Sequence, residues 1–441
     1  MSDSNIHNPT NKESEIDAYT NECSRRQFLK KAGQGFLAVS LSADLLSHAV
    51  AQTEPPPASS SQPIQFPPIV APTEQQRGPL PAPLPPGERV GFAIVGLGRL
   101  SLEELLPAFG ESKKARLAAL VSGDANKARR VAQQYGVPEQ SLYDYHTYDR
   151  LRDNPDVQVI YIVLPNSMHH EFTIRGARAG KHILCEKPMA VSAREAEEMI
   201  AVCERANLKL MIAYRIQYEP YNRMVRDMVR TKRCGTIKFV DLVNAHRQGD
   251  PNHWRLKREL SGGGSLPDIG IYCLNTVRFL TGEEPADVSA SIVTPSNDPR
   301  FREVEDAVSF RLRFPSGIIA GNFTSYDAHR ASRYRVYATE GWFGLDPAFS
   351  YRGLQMETAQ ADGKVERIEH PRIREKNQFA AEMDHMAECV LENKRPYTPG
   401  EEGLQDHRIM AAIYESARTG RPITLDTPTK LDAFRGTEPN V

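Results

Sequence analysis

A regular alternation of strand-like and helix-like segments between residues 90 and 213 constrains the fold more than any other feature of the chain. Short apolar segments typical of buried strands lie at residues 90–95, 116–121, 157–164, 182–185 and 209–213. Helix-like segments separate them at residues 101–109, 125–135, 170–179 and 193–206. Because parallel strands need such crossovers, which then cover both faces of the sheet, the pattern predicts a parallel α/β domain.

The sequence changes character after Tyr214. Longer β-rich runs follow at residues 236–244, 288–294, 307–314, 318–325 and 334–338. Such runs predict a mainly antiparallel sheet. We therefore expect an α/β protein with two domains, a parallel Rossmann-type domain at residues 88–214 and a C-terminal α+β domain at residues 215–441 with a large open sheet.

The N-terminus carries the pattern of a twin-arginine export signal. Residues 24–33 have the sequence SRRQFLKKAG, a weakly apolar run follows, and Ala49-Val50-Ala51 has the spacing of a cleavage site. This route exports proteins that are already folded. Residues 1–51 are therefore predicted to be a removable signal, with the Tat export machinery as a partner, a periplasmic mature protein and a cofactor inserted before export.

Residues 52–87 form a proline-rich segment that holds 12 of the 32 prolines. Proline at this density excludes a helix or a central strand. The segment is predicted to be an extended arm. Its composition fits a disordered linker equally well, whereas its scattered apolar residues, such as Phe66 and Leu80, suit an arm that packs against another surface.

Charge and cysteine content argue against several classes of function. Lys and Arg number 55 and Asp and Glu 56, so the net charge of −1 disfavours nucleic-acid and anionic-membrane partners. After the signal no apolar run has transmembrane length, and we expect no membrane association once the signal is removed. The six cysteines are widely spaced, and neither C-x-x-C nor H-E-x-x-H occurs. We expect no structural disulfide and no metal.

A glycine-rich turn follows the first predicted strand. Gly96, Gly98, Arg99, Leu100 and Ser101 occupy the point where that strand meets a helix, which is the context of a dinucleotide-binding turn. The first glycine permits the tight turn and the second admits the pyrophosphate, which the helix N-terminus then faces. Ser101 stands where the pattern usually has Gly or Ala.

The end of the second strand indicates which dinucleotide is preferred. Ser122 replaces the carboxylate that binds the ribose 2′-hydroxyl in NAD sites, and Arg99 and Lys127 lie near enough in sequence to attract a 2′-phosphate. The sequence therefore predicts tightly bound NADP. If the strand ended two residues later, Asp124 would occupy the ribose position and NAD would be preferred.

Several further motifs follow the glycine-rich turn along the chain. They are Leu164-Pro165-Asn166-Ser167-Met168-His169, Cys185-Glu186-Lys187-Pro188, Trp254-Arg255-Leu256, Asp268-Ile269-Gly270-Ile271-Tyr272, Asn377-Gln378-Phe379 and Pro399-Gly400-Glu401-Glu402-Gly403. Together these motifs resemble the Gfo/Idh/MocA family of sugar oxidoreductases, and within it the glucose-fructose oxidoreductase branch. The resemblance covers nearly all of residues 88–425. A tyrosine at position 272, where the family often has histidine, matches this branch.

The resemblance implies roles for individual residues. Lys187 would lie beside the nicotinamide, and the other predicted cofactor contacts are Leu164, Pro165, Asn166, His169, Glu186, Tyr214 and Arg215. The predicted substrate contacts are Lys187, His169, Arg255, Asp268 and Tyr272, with Tyr218 and His253 as weaker candidates. His169 could equally anchor its loop. The arm would enclose the cofactor of a neighbouring subunit in a homodimer or homotetramer.

Asp268 and Tyr272 also suggest chemistry without any resemblance, because their spacing places them on one face of a helix. Oxidation of a sugar hydroxyl requires a base within hydrogen-bond reach of the oxygen. The ammonium of Lys187 would favour the phenolate form of Tyr272, and Asp268 would orient the sugar. These three are the predicted catalytic residues. In the structural alternative, Lys187 is a surface residue before a turn and Tyr272 packs beside a capping Asp268.

An exported enzyme cannot exchange its nicotinamide with a cellular pool, so a second substrate must reoxidise the cofactor in place. The resemblance implies oxidation of glucose to gluconolactone and reduction of fructose to sorbitol, while another aldose is an equally compatible acceptor. A related glycoside hydrolase with tightly bound NAD and a non-catalytic sugar-binding protein are the alternatives. Ser122 and Tyr272 argue against the glycoside hydrolase. The joint presence of Lys187, Asp268 and Tyr272 argues against the non-catalytic sugar-binding protein.

Overall fold

The computed structural model describes residues 85–439. The predicted signal at residues 1–51 and the arm up to residue 84 lie outside the described residues, so both remain predictions. Between residues 85 and 439 no helix is both long enough and apolar enough to cross a membrane. The cysteines of this part, Cys185, Cys203, Cys234, Cys273 and Cys389, are buried free thiols.

The N-terminal domain is built on a parallel sheet of six strands in the order β3-β2-β1-β4-β5-β6. The strands are β1 Val90–Val95, β2 Ala115–Val121, β3 Leu142–Tyr143, β4 Val159–Ile162, β5 His182–Glu186 and β6 Leu210–Ala213. Every residue of β1 and β4 is buried, as expected for central strands covered on both faces. The predicted Rossmann fold is confirmed.

Helices connect these strands much as the sequence indicates. They are α1, made of a π-helical turn Ser101–Leu105 and an α-helical turn Leu106–Ala108, α2 Ala125–Tyr135, α3 Asn166–Arg178 and α4 Ala193–Arg205, with 3-10 turns at Pro86–Glu88, Glu139–Ser141 and Tyr148–Asp153. Helix α3 begins four residues earlier than predicted. The strand order reverses between β1 and β4, and in such folds ligands bind beyond the carboxyl ends of the strands at this point.

The C-terminal domain contains a sheet of nine strands in the order β14-β13-β12-β11-β7-β10-β9-β8-β15. They are β7 Ile237–Ala245, β8 Asp287–Val293, β9 Ala307–Arg313, β10 Ile319–Ser325, β11 Ala331–Ala338, β12 Gly341–Leu345, β13 Met356–Asp362, β14 Val365–Glu369 and β15 Ile423–Thr424. Only β7 and β10 pair in parallel. The prediction of a mainly antiparallel sheet is confirmed.

The helices of this domain pack against the sheet and against the first domain. They are α5 Pro220–Arg230, α6 Arg258–Ser261, α7 Ile271–Thr281, α8 Gln378–Leu391 and α9 Gly400–Thr419, with a π-helical turn Leu266–Gly270 and 3-10 turns at Arg215–Tyr218, Trp254–Leu256 and Pro299–Phe301. Along β9, exposed and buried residues alternate, so one sheet face is covered and the other is open. Phe239 and Tyr337 stack on the sheet at 6.0 Å, each 36% exposed.

Candidate active site

The glycine-rich turn has the geometry of a dinucleotide cradle. Gly96 has a φ of +98°, and a Cβ atom there would lie 2.3 Å from the carbonyl oxygen of Val163, so only glycine fits. A Cβ at Gly98 would meet nothing within 4 Å, which leaves open space above the turn. The hydroxyl of Ser101 donates to the Gly96 carbonyl at 2.5 Å and so fixes the turn in place of a third glycine.

The residues around this turn fit an NAD(P) cofactor. Leu97 is buried beneath it, whereas the side chain of Arg99 is 87% exposed and pairs with Glu103 at 2.7 Å. The first turn of α1 presents backbone amides to the open space, and a helix N-terminus attracts phosphate. A π-helical turn at this point is a feature often found at functional sites.

Strand β2 ends at Val121, as the NADP prediction requires, and Ser122 follows it directly. The Ser122 hydroxyl accepts a hydrogen bond from the amide of Asp124 at 3.1 Å. Asp124 caps α2 by accepting from the Lys127 amide at 2.9 Å, while Lys127 Nζ reaches the Leu97 carbonyl at 3.5 Å. Strand β2 does not end two residues later, as it would have to in order to bring Asp124 to the ribose.

Lys187 joins the two domains at the carboxyl edge of the parallel sheet. It follows β5, and its Nζ donates to the Asp268 carbonyl oxygen at 2.7 Å and lies 3.7 Å from Asp268 Oδ1. The same ammonium is 4.4 Å from the ring centroid of Tyr272. The structure therefore brings the three predicted catalytic residues together.

The carboxylate of Asp268 is buried among positive and hydrogen-bonding groups. Arg255 Nε lies 2.9 Å from its Oδ2, and the Tyr326 hydroxyl donates to the same oxygen at 2.8 Å. Burial alone would raise the pKa of Asp268, but Arg255, Lys187 and Tyr326 outweigh it and hold the pKa below its usual range. Asp268 is therefore ionised at neutral pH.

The two helical residues of the cluster lie on different kinds of turn. Asp268 belongs to the π-helical turn Leu266–Gly270, and Tyr272 stands in the first turn of α7. The amide of Leu266 donates to Glu305 Oε1 at 3.1 Å, which fixes the start of this wide turn. The predicted shared helix is present, and its π-helical start sets the relative position of the two side chains.

Arg215 follows β6 and ties the first domain to a loop of the second. Its Nη1 donates to Gln378 Oε1 and its Nη2 to the Phe349 carbonyl oxygen, both at 2.6 Å. The ring of Phe349 lies 5.8 Å from that of Tyr272. Beside it, Tyr351 remains 41% exposed in the cleft. This loop forms one wall of the candidate site.

His169 occupies a different position from the one expected of a substrate contact. It lies inside α3 and is fully buried, with Nδ1 2.9 Å from the Pro188 carbonyl oxygen and Nε2 2.8 Å from that of Leu164. Burial lowers its pKa. Both nitrogens are occupied by backbone, so His169 holds two loops together and does not face a sugar. The predicted substrate contact is corrected to an anchoring role, which was the alternative.

Other predicted residues also have mainly structural contacts. The side chain of Asn166 donates to the Ser261 carbonyl at 2.8 Å and joins the domains. Tyr214 is buried, and Tyr218 bonds Thr398 at 3.0 Å. His253 accepts from the Arg255 amide at 3.2 Å and caps a short helix. Pro165 precedes α3 as its N-cap residue, and Leu100 precedes the π-helical turn of α1.

Glu186 lies in a buried acidic group beneath the site. The Tyr161 hydroxyl is 2.8 Å from Glu186 Oε1 and 3.1 Å from Glu382 Oε1. A single hydroxyl proton cannot serve both carboxylates, so one carboxyl group must itself be protonated. Burial raises the pKa of both acids, and that of Glu382 most. Glu382 is thus the acid that takes up a proton more readily.

Sequence reasoning missed several residues of the site, namely Tyr326, His246, Phe349 and Tyr351. Tyr326 and His246 directly follow two paired strands, β10 and β7, and their rings lie 5.6 Å apart. Their position directly after a strand is the sequence signal that could have identified Tyr326 and His246. Phe349 and Tyr351 lie outside regular structure and carry no motif. Among residues 85–439 no cluster of His, Cys, Asp and Glu has the arrangement of a metal site.

Two family models and several known proteins are similar to this chain. Residues 90–214 match the model of an oxidoreductase family with an NAD-binding Rossmann fold, and residues 222–344 match the GFO/IDH/MocA C-terminal domain. D-xylose 1-dehydrogenase [NADP(+)] of Haloarcula marismortui is 34% identical over 353 residues, which are 76% of this chain and 93% of that protein.

A solved structure is more similar still in sequence. Aldose-aldose oxidoreductase from Caulobacter crescentus, crystallised with glycerol, is 46% identical, with a TM-score of 0.74 over 76% of this chain and 100% of that one. A second D-xylose 1-dehydrogenase (NADP(+)), from Haloferax volcanii, is 28% identical over 76% of this chain and 99% of its own length.

Proposed function

The chain is a sugar oxidoreductase of the GFO/IDH/MocA family, and we propose that it retains NADP and passes a hydride from one sugar to another. The observation that carries this proposal is the contact of Lys187 with both Asp268 and Tyr272 at the carboxyl edge of the parallel sheet. The aldose-aldose oxidoreductase relative supports two sugars as the substrates.

The chain's own residues handle the proton and the orientation of the sugar. A bound nicotinamide supplies the acceptor and donor of the hydride. Tyr272, as phenolate, accepts the proton of the anomeric hydroxyl while the anomeric hydrogen leaves as hydride, which gives a lactone. Asp268 accepts a hydrogen bond from a neighbouring hydroxyl, and Lys187 balances the charge on the oxygen that loses its proton.

The second half-reaction runs these steps in reverse. The carbonyl carbon of an acceptor sugar, either fructose or another aldose, gains the hydride, and its oxygen gains the proton that Tyr272 had stored. The product is an alditol. One proton and one hydride leave the first sugar and enter the second, so the cycle needs no outside oxidant.

NADP is the proposed cofactor rather than NAD. Ser122 offers a hydroxyl and no negative charge at the end of β2, and Asp124 is engaged in capping α2. Arg99, whose side chain is 87% exposed, can exchange its partner Glu103 for a 2′-phosphate, and Lys127 adds a second cation. Two NADP-linked relatives support this choice.

We also propose that the protein is periplasmic, exported folded by the twin-arginine machinery, and a homodimer or homotetramer. The open face of the C-terminal sheet, with Phe239 and Tyr337 partly exposed, would form the subunit contact, and the arm would cover a neighbouring cofactor. Deletion of residues 52–84 tests this. We expect faster NADP loss or a smaller oligomer. Unchanged retention of NADP and an unchanged oligomer mass would show that the arm is only a linker.

The decisive test of the reaction is the absorbance of reduced nicotinamide in the purified, dialysed protein. Glucose alone should raise it to a plateau of one equivalent per site without added NADP, and fructose or a second aldose should then lower it. A rise only when free NADP is supplied, with no reversal by sugar, would instead make the protein an ordinary NADP-dependent sugar dehydrogenase. No absorbance change with any sugar would favour the non-catalytic alternative.

A further inference from the structure

Two cationic side chains, which follow two neighbouring strands, lie beside the ring of Tyr272. The Nζ atom of Lys187, which follows β5, is 4.4 Å from the Tyr272 ring centroid. The guanidinium carbon of Arg215, which follows β6, is 4.9 Å from the same centroid. Strands β5 and β6 are paired in parallel, so the fold itself delivers both cations to one phenol ring.

Arg215 is held rigidly in this position. Its side chain is buried, with 5% of the residue exposed, and its two terminal nitrogens donate to fixed oxygens of Gln378 and Phe349. The guanidinium also lies 4.6 Å from the ring of Tyr351. A planar group fixed by a fork of hydrogen bonds cannot turn away from Tyr272 without breaking them.

Arg215 forms no direct ion pair among residues 85–439. Its hydrogen-bond acceptors there are the side-chain amide of Gln378 and the backbone carbonyls of Phe349 and Ser350, whereas Glu186 and Glu382 interact with it only at longer range. Lys187 differs, because Asp268 Oδ1 lies 3.7 Å from its ammonium and offsets its charge. Arg215 is therefore a cation beside Tyr272 that has no carboxylate in direct contact.

We propose that Arg215 is a positioning residue whose fixed cation favours the phenolate form of Tyr272 and so sets the pH range of proton transfer. This inference rests on the proposed function, in which Tyr272 exchanges the sugar proton. A cation held about 5 Å from a ring stabilises added negative charge there, and burial strengthens the effect because water screens it little.

Other charged and titratable groups face Tyr272 as well, and their effects partly cancel. Asp268, on the preceding turn, disfavours the phenolate, but Arg255 and Lys187 offset it. Tyr351 adds no charge while it is protonated. Glu186 and Glu382 both interact with Arg215 and oppose the phenolate, but burial raises the pKa of both acids, which weakens this opposition. Burial also disfavours the Arg215 cation, but Tyr272 and Tyr351 outweigh this and raise the pKa of Arg215.

The test separates the charge of Arg215 from its structural bonds. Arg215→Gln removes the charge, Arg215→Lys keeps it, and Gln378→Met keeps the charge while removing a bond that holds it. The rate of cofactor reduction by glucose in a single turnover is measured against pH. Arg215→Gln should move the pH at which this rate rises upward by about one unit or more. Arg215→Lys should reverse most of the shift, and Gln378→Met, which leaves the Phe349 bond in place, should cause a smaller shift than Arg215→Gln.

A spectroscopic titration provides a readout that does not depend on turnover. The phenolate absorbance of each protein is compared with that of the same protein carrying Tyr272→Phe, so the difference reports Tyr272 alone. The difference should move to higher pH in Arg215→Gln by the same amount as the rate. Should Arg215→Gln fail to fold, as judged by circular dichroism, Arg215→Met repeats the test.

Three results would overturn the inference or its premise, and they are distinguishable. A rate lowered equally at all pH values in Arg215→Gln, with an unmoved titration, would make Arg215 purely structural. An equal shift in Gln378→Met would assign the effect to the loop. Full turnover in Tyr272→Phe would instead contradict the proposed function, because the base would then be another residue.

Discussion

Arg352 holds Glu104 through both of its terminal nitrogens, with Nη1 3.1 Å from Oε1 and Nη2 2.6 Å from Oε2. Glu104 belongs to the π-helical turn beside the glycine-rich turn, and Arg352 belongs to the loop that carries Tyr351. The pair thus joins the two domains next to the space where the dinucleotide fits. Its forked geometry and partial burial make it stronger than an ordinary surface ion pair.

We predict that Glu104→Gln speeds NADP loss by about tenfold, because hydrogen bonds to charged groups of this kind contribute about 1.5–3 kcal/mol. The measurement is the decay of bound NADPH fluorescence after dilution. Glu357→Gln is the matched control, since it breaks a pair with Arg335 at 3.0 Å on the C-terminal sheet. Equal loss rates in both variants would mean that the Arg352 pair does not retain the cofactor.

The second prediction concerns cofactor preference. Ser122→Asp should shift the ratio of affinities from NADP towards NAD by at least about tenfold, or about 1.4 kcal/mol, because a carboxylate there repels the 2′-phosphate and binds the ribose. The amounts of NADP and NAD that remain bound to each purified variant after equilibration with an equimolar mixture of the two measure the ratio. Asp124→Asn, which leaves the helix cap in place, should change it little. A larger change in the affinity ratio for Asp124→Asn than for Ser122→Asp would identify Asp124 as the ribose contact.

The third prediction concerns proton transfer. Lys187→Met and Tyr272→Phe should each lower turnover by at least about a hundredfold, the lower end for loss of general acid-base catalysis. Both half-reactions should slow together, because the proton removed in one is returned in the other. Bound NADP and the melting temperature should change little. A variant that slows only one half-reaction would show that the two sugars use different proton donors.

The parallel sheet and the glycine-rich turn were predictable because both depend on local sequence. Apolar strands alternate with helices, and the spacing of Gly96 and Gly98 reflects one backbone turn. Lys187, Asp268 and Tyr272 were found through motifs. Strand β14 was missed because all of its residues, Val365–Glu369, are exposed and show no apolar alternation.

The wall of the site was not predictable for a different reason. Phe349 contacts Tyr272, and the ring of Tyr351 contacts Arg215, only because the folded chain brings this loop back to the end of β6 and the start of α7. Such contacts join residues far apart in sequence and leave no local pattern. His169 shows the opposite error, because a polar residue in a motif was assigned a contact with substrate although backbone carbonyls occupy both of its nitrogens.

The last prediction links the acid stability of the protein to the loop that carries Lys187. His407 Nε2 accepts a hydrogen bond from the Ala190 amide at 3.1 Å, and burial lowers the pKa of His407 to about 4. In the unfolded chain a histidine titrates near pH 6.5. As the pH falls below that value the unfolded state gains a proton that the folded state does not bind, so the free energy of unfolding decreases by about 1.4 kcal/mol per pH unit until about pH 4.

His407→Gln retains an acceptor for Ala190 and removes the titration. The loss of unfolding free energy between pH 6.5 and pH 5 should therefore be about 2 kcal/mol smaller than in the parent, as measured by urea unfolding at each pH. His146→Gln, at an exposed position, is the control for loss of an imidazole. If both variants lose stability with the parent's slope, His407 is not the group responsible for the loss of stability in acid, and His385, whose pKa burial also lowers to about 4, becomes the next candidate.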